Sequence, residues 1–350
     1  MSTTFRIRKI AEWMHPEDWT EIETIDVHTA GEPLRIILSG LPEIKGYTIL
    51  EKRQYMKENL DDFRKALMWE PRGHADMYGC VITPPERKDS NFGALFLHNE
   101  GYSTMCGHGI IGLTKVVLET GMMEKNSPVT TIKIDTPAGQ IISYAKIEND
   151  EISSIYFHNV PSFVLMKDEL INVPEIGKVK FDVAFGGAFY VFVKAEEIGL
   201  KLVQENVDEL IHKGMLIKKT VMNNFKIEHP FDNELSFLYG TIFYGKSYSN
   251  EADSRNVCIF ADGEVDRSPT GTGVSARMAL HYFDNEIKLN QPMIIESIIG
   301  TKFIGKAVAE TKFGPYRAVI PEIEGNAFIT GKSVFYIDPK DPLKHGFLVR

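Results

Sequence analysis

The chain has 350 residues, of which 43% are hydrophobic and 25% charged, as in globular proteins that bury a core in one large domain or two. Its formal net charge of −9 disfavours binding to nucleic acids or anionic membranes, so we expect neither as a partner. We find no apolar run long enough for a signal peptide or a membrane span, and three scattered cysteines are too few for a disulfide framework. These features predict a cytoplasmic protein.

Strand-like segments dominate the chain after a charged N-terminal arm, which we place at residues 1–20. Apolar residues at 132–134 and 141–145 flank the turn Pro137-Ala138-Gly139 and predict a β-hairpin. Two segments are different in character, at 110–120 and 274–283. Both are apolar on nearly every side, which predicts two buried helices.

Each predicted helix follows a glycine-rich turn, MCGHG at 105–109 and PTGTG at 269–273. The two segments share one pattern, in which a thiol or hydroxyl residue is followed by Gly-X-Gly and then by a predicted buried helix. This similarity predicts an internal duplication of about half the chain. Each half would wrap a sheet around one helix, and the two helix N-termini would face each other across a cleft.

Cys106 lies in the first of these turns. Burial as a structural residue is the usual fate of a free cysteine, but a helix N-terminus stabilises an anion and lowers a thiol pKa. We therefore predict that the pKa of Cys106 is below the ordinary value of about 8.5 and that its thiolate acts as a base. His108 is either a hydrogen-bond partner and proton carrier for this thiol or a structural histidine.

The second turn matches the GxGxxA fingerprint of dinucleotide sites, beginning at Gly271. That fingerprint requires a strand leading directly into the first glycine, whereas here a polar spacer of ten residues follows the apolar segment at 257–260. The amides of this turn are better interpreted as a cradle for a carboxylate. Asp266 is either an acid of a surface turn or the counter-ion of a substrate nitrogen. We find no zinc-binding motif and predict no metal.

Five motifs in order resemble segments of the proline racemase family. TMCGHG at 104–109 and DRSPTGTG at 266–273 are similar to its two signature motifs. The remaining three are VHTAGEP at 27–33, PRGHADMY at 71–78 and DTPAG at 135–139, and the resemblance runs from about residue 22 to 337.

This resemblance implies a fold like that of diaminopimelate epimerase, with two pseudo-symmetric α/β (α+β) halves. Each half would be a curved sheet around a central buried helix, with the active site between them. The first half would comprise 1–155 plus 332–350 and carry Cys106. The second, 156–331, would carry Asp266 and Thr270. The resemblance also implies a homodimer that uses no cofactor.

In the racemases of this family, two cysteines face opposite sides of the α-carbon. Cys106 matches the first, but Thr270 stands at the second position. A threonine hydroxyl does not ionise near neutral pH, so racemisation by two bases should fail. The Cys106/Thr270 pair is similar to that of the trans-3-hydroxy-L-proline dehydratases, a branch of the family. This implies a hydroxyproline substrate, one base, and pyrroline-2-carboxylate and water as products.

The resemblance implies substrate-binding roles for five residues, which are Gly107, His108, Asp266, Gly271 and Thr272. Tyr78 and Phe260 would either contact the substrate ring or simply pack in the core. Two other interpretations stay open. One is a proline racemase or 4-hydroxyproline 2-epimerase that reprotonates the second face from water held by Thr270, and the other is a non-catalytic imino-acid binding protein.

Overall fold

The structure is a computed structural model that describes residues 9–10 and 12–349. Residues 1–8 and 11 of the predicted N-terminal arm therefore lie outside the described residues. The helices of eight residues or more within 12–349 are α1 (Ile49–Asn59), α2 (Asp61–Met68), α3 (Gly107–Glu119), α4 (Val207–Asn224) and α5 (Gly271–Phe283).

The strands in this part of the chain form one continuous, extensively branched sheet. They are β1 (Thr20–Thr29), β2 (Glu32–Ile37), β3 (Tyr78–Thr83), β4 (Phe92–His98), β5 (Tyr102–Ser103), β6 (Val129–Thr136), β7 (Gly139–Glu148), β8 (Glu151–His158), β9 (Ser162–Val173), β10 (Gly177–Phe185), β11 (Phe189–Lys194), β12 (Leu238–Gly245), β13 (Ser254–Phe260), β14 (Glu264–Val265), β15 (Met293–Glu296), β16 (Lys302–Phe313), β17 (Tyr316–Gly325) and β18 (Ala327–Ile337). The predicted hairpin is confirmed as β6 and β7, which pair in antiparallel register through the 137–139 turn.

The pairing pattern of β1 to β8 repeats in β10 to β17. In the first set, β1–β2 is antiparallel, β2–β3 parallel, β3–β4 antiparallel, β4–β6 parallel, and β6–β7–β8 antiparallel. In the second set, β10–β11, β11–β12, β12–β13, β13–β15 and β15–β16–β17 follow the same order of directions. The fold class predicted from the sequence, two pseudo-symmetric halves, is confirmed by this repeat.

The connections in the two halves also correspond. A parallel pair of strands requires a crossover, and helices supply it in both halves. The β2–β3 connection runs through α1 and α2, and the β11–β12 connection runs through α4, which packs on β12 and β13. The predicted boundaries at 155/156 and 331/332 fall inside β8 and β18, and the exact division of the chain stays a prediction.

The predicted buried helices are the centres of the two halves. α3 packs against β1, β2, β7, β8 and β18, and α5 packs against β9, β10, β16 and β17. Both begin three residues before the predicted starts, because the Gly-X-Gly segments form the first helical turn. Gly121 follows α3 with φ +75°, a left-handed conformation that ends a helix at little cost for glycine.

The two halves join along β17, which pairs with β8 of the first half and with β9 of the second. The N-termini of the two central helices come together between the halves, where Gly107 and Gly271 are in contact. In the part of the chain that the structure describes, no helix combines the length and apolar composition needed to cross a membrane.

Candidate active site

The two glycine-rich turns meet in direct contact. A Cβ atom added to Gly107 would lie 2.8 Å from the Cα of Gly271, and one added to Gly271 would lie 2.8 Å from the Cα of Gly107. Real Cβ contacts are not this short, so only glycine permits the approach at both positions. The helix N-termini therefore converge as the duplication predicts.

Cys106 caps the N-terminus of α3. Its backbone is extended, with φ −143°, and its Sγ accepts a hydrogen bond from the Gly109 amide at 3.2 Å. This is the bond that an N-cap side chain makes to the first turn of a helix. The thiol is thus fixed at the positive end of the helix dipole.

Thr270 holds the equivalent position at α5 but has a different geometry. Its φ is +69°, which is rare for a β-branched residue and costs of the order of 1–3 kcal/mol. The Thr270 hydroxyl is buried and makes no hydrogen bond of ordinary geometry among the described residues, although it lies close enough to Asp266 and Cys258 to lower their pKa values. The strained backbone and the buried hydroxyl without an ordinary hydrogen bond both destabilise the fold. Interactions elsewhere in the fold must therefore hold Thr270 in this conformation.

A small cavity of about 20 Å³ lies between the two turns. It is lined by Tyr78, Met105, Cys106, Gly107, His108, Tyr190, Tyr239, Phe260, Asp266, Thr270, Gly271 and Thr272. All seven residues predicted as catalytic or substrate-binding line it, as do both aromatic residues singled out from the sequence. Their functional roles stay predictions, because position alone does not establish them.

Met105, Tyr190 and Tyr239 line the cavity but were missed by sequence reasoning. A signal for Tyr239 does exist, because Tyr-Gly occurs at 78–79 and again at 239–240, at the beginnings of the corresponding strands β3 and β12. The Tyr190 hydroxyl lies 2.7 Å from the Thr272 Oγ1, so this tyrosine orients a predicted binding residue.

The electrostatics of Cys106 correct one prediction. Burial raises the pKa of Cys106 well above its ordinary value, although the Gly109 hydrogen bond lowers it. The negative charge of Asp266 raises this pKa further. The expected net lowering of the thiol pKa is therefore wrong for this structure, because loss of hydration outweighs the helix terminus.

His108 lies beside the thiol as a neutral imidazole. The distance from Cys106 Sγ to His108 Nδ1 is 3.2 Å. Burial lowers the pKa of His108 to about 3, and the nearby positive charge of Arg267 acts in the same direction. At neutral pH the two side chains thus form a neutral thiol–imidazole contact and not an ion pair.

Asp266 is buried at the base of the second turn. Its Oδ1 accepts a hydrogen bond from the Ser268 amide at 2.7 Å, and burial raises its pKa despite this bond. Glu32 from the first half accepts a hydrogen bond from the Arg267 amide at 2.8 Å. Glu32 belongs to the 27–33 motif, and this bond across the junction anchors the loop that carries Asp266.

Among the described residues we find neither a metal-binding cluster nor the strand arrangement of a dinucleotide-binding site. Within residues 9–10 and 12–349, no group of three or more His, Cys, Asp or Glu side chains is arranged to hold a metal ion. Gly271 is reached from β14, a two-residue strand that pairs antiparallel with β13, whereas a dinucleotide site requires a parallel strand leading directly into the glycine turn. The three cysteines, all within the described segment, are buried and unpaired.

The duplicated α/β fold and the facing helix N-termini define an enzyme of the racemase and epimerase structural class. A hydroxyproline epimerase from Agrobacterium vitis, solved with bound trans-4-hydroxy-L-proline, superposes with a TM-score of 0.87 at 29% identity over 94% of this chain and 96% of its own. A Bacillus anthracis phenazine biosynthesis protein of the PhzF family shares the fold alone. It superposes with a TM-score of 0.59 at 11% identity, over 90% of this chain and 99% of its own.

The chain belongs to the proline racemase family, whose model, described as "Proline racemase", matches residues 24–348. It is 50% identical to a trans-3-hydroxy-L-proline dehydratase from Colwellia psychrerythraea, over 98% of this chain and 97% of that protein. A trans-L-3-hydroxyproline dehydratase from Bos taurus is 44% identical over 97% of this chain and 98% of that protein. The family resemblance inferred from the five motifs is thereby confirmed.

Proposed function

We propose that this enzyme is a hydro-lyase that converts trans-3-hydroxy-L-proline to pyrroline-2-carboxylate and water. The observation that carries the proposal is the asymmetry of the two facing helix N-termini, which present one thiol, Cys106, and one hydroxyl, Thr270. The dehydratase relatives at 44–50% identity support the same substrate.

The substrate is a zwitterion, and the cavity offers a partner for each charge. Backbone amides at the starts of α3 and α5 would bind the carboxylate, since unpaired amides and the helix dipole both favour an anion. Asp266 would bind the ring nitrogen. The positive charge of the substrate would in turn neutralise Asp266, which is one of the groups that raise the pKa of Cys106.

Cys106 would then act as the single base that removes the α-hydrogen. In the trans isomer, the 3-hydroxyl lies opposite the carboxylate and hence on the same ring face as the α-hydrogen. Proton removal and loss of the hydroxyl would therefore take place on the Cys106 side. Thr270 would face the other side of the ring and bind substrate through its hydroxyl without supplying a proton.

The direct test is mass spectrometry of a panel of proline and hydroxyproline isomers after incubation with the protein. We expect loss of water from trans-3-hydroxy-L-proline and from no 4-hydroxyproline isomer. Cys106→Ser should abolish this loss while the circular dichroism spectrum is unchanged, because the substitution is small. Substantial dehydration by Cys106→Ser would contradict the single-thiol mechanism.

The second candidate is a proline racemase or 4-hydroxyproline 2-epimerase, which the structural similarity to the Agrobacterium vitis epimerase favours. Chiral chromatography of L-proline and trans-4-hydroxy-L-proline separates the two proposals, because only the second predicts inverted product. We further propose that the enzyme is a cytoplasmic homodimer that needs no cofactor. Light scattering would test the homodimer, and assays in metal-free buffer would test the reaction without cofactor.

A further inference from the structure

Dehydration requires a proton donor for the leaving oxygen, because hydroxide is a poor leaving group. This inference rests on the proposed function and concerns the origin of that proton. The donor must lie on the same side of the ring as Cys106, where the 3-hydroxyl of the trans isomer lies. It must also hold its proton at neutral pH while Cys106 is occupied with the α-hydrogen.

Tyr78 meets these requirements of position. It opens β3 in the first half, is 3% exposed, and lines the cavity beside Cys106. Its ring packs edge to face against that of His108, with the ring centroids 4.8 Å apart. Its hydroxyl is hydrogen-bonded to the Ser103 Oγ, which holds the phenol in one orientation.

Three other cavity residues with O–H or N–H bonds, His108, Tyr190 and Thr270, are less suitable. His108 is a neutral imidazole with one N–H, and a hydrogen bond to the Pro33 backbone is among the influences on its pKa. The Tyr190 hydroxyl is hydrogen-bonded to Thr272 at the start of α5, on the side of the second turn. Thr270 also belongs to that side, and an alcohol is a weaker acid than a phenol.

We propose that Tyr78 is the general acid that protonates the departing 3-hydroxyl. The Cys106 thiolate first takes the α-proton and leaves the electron pair of the Cα–H bond on a carbanion, and this pair then forms the C2–C3 double bond. The C3–O bond breaks and its electron pair stays on the oxygen, which takes the Tyr78 proton and leaves as water. The new Cys106 thiol then returns its proton to the Tyr78 phenolate, and the released enamine tautomerises to the imine.

The acidity of Tyr78 is suited to this exchange. Burial raises the pKa of Tyr78 well above its ordinary value, and the nearby Cys106 raises it further, so the phenol stays protonated at neutral pH. Phenols are intrinsically stronger acids than water, which favours proton transfer to the departing hydroxide. The Tyr78 hydroxyl also lies close enough to lower the pKa of Cys106, as the return of the proton requires.

The test compares two leaving groups in the full-length enzyme. Hydroxide needs a proton to leave, whereas chloride does not, so trans-3-chloro-L-proline should bypass the acid. We expect Tyr78→Phe to lower kcat for trans-3-hydroxy-L-proline by about 100-fold or more. The same variant should eliminate chloride from the chloro compound within about threefold of the wild-type rate.

A second readout uses the natural leaving group only. In deuterated water, Tyr78→Phe should incorporate deuterium at the α-carbon of unreacted trans-3-hydroxy-L-proline faster than it forms product. The reason is that Cys106 still removes the proton while C–O cleavage is slow. Ser103→Ala, which removes the partner of the Tyr78 hydroxyl, should show a smaller loss of about three- to tenfold, also confined to the hydroxyl substrate.

Tyr190→Phe is the matched control, because it removes another buried hydroxyl from the same cavity. Any loss there should be equal for the two leaving groups. Equal losses for Tyr78→Phe, or no loss, or a slow variant without α-deuterium exchange, would overturn the role of Tyr78. If the wild-type enzyme does not dehydrate trans-3-hydroxy-L-proline at all, the proposed function itself is wrong, and the two failures are thus distinct.

Discussion

Contact between the two central helices makes Gly107→Ala a severe test of the site geometry. The added methyl group would lie 2.8 Å from the Gly271 Cα and 3.1 Å from the Gly271 carbonyl carbon. These are backbone atoms that cannot rotate away, so the helix N-termini must separate by about 0.6 Å to reach an ordinary contact of 3.4 Å. That movement changes the distance between Cys106 and the groups on the second half.

The expected cost follows from this displacement. Misplacement of a catalytic group by about 1 Å can cost roughly 100-fold, so we expect kcat/KM for water loss to fall about 10- to 100-fold. Overpacking should lower the free energy of unfolding by about 1–3 kcal/mol. Gly271→Ala should behave similarly, because its added methyl group would lie 2.8 Å from the Gly107 Cα.

Steady-state kinetics and urea denaturation measure the two effects separately. Gly331→Ala is the control, because an added Cβ there has nothing within 4 Å and the backbone is not left-handed. It should leave kcat/KM and stability close to the wild-type values. Wild-type activity in Gly107→Ala would refute the view that direct contact of the helix ends sets the catalytic distances.

Three other predictions concern the charges and faces of the site. Because burial raises the pKa of Cys106 and the reaction needs its thiolate, kcat/KM should rise with pH through a midpoint above about 8.5; a lower midpoint in the free enzyme would contradict this. Pyrrole-2-carboxylate, which is flat at the α-carbon like the carbanion, should inhibit competitively and bind at least tenfold more weakly to Asp266→Ala, whereas no binding at millimolar concentration would exclude the proposed pocket. Thr270→Cys should gain weak interconversion of L- and D-proline while dehydration persists, as measured by chiral chromatography, and wild-type racemisation as fast as dehydration would show that the second cysteine does not decide the reaction.

Much of the fold and site was predictable from local sequence signals. Helices apolar on all sides must be buried, and the alternating segments around 137–139 form a hairpin, so α3, α5, β6 and β7 were all anticipated. The matching turns around Cys106 and Thr270 predicted that the two helix N-termini would face each other. These inferences succeed because glycine spacing and apolar periodicity act over a few residues.

Only the tertiary structure decided the electrostatics of the site. The sequence indicated a thiol activated by a helix N-terminus, but the pKa of Cys106 depends on burial and on Asp266, which is 160 positions away in the chain. The same holds for the bond from the Arg267 amide to Glu32 and for the strained backbone of Thr270. Desolvation and Coulomb interactions depend on distances in space, and these are set when remote strands pair and the two halves close over the cavity.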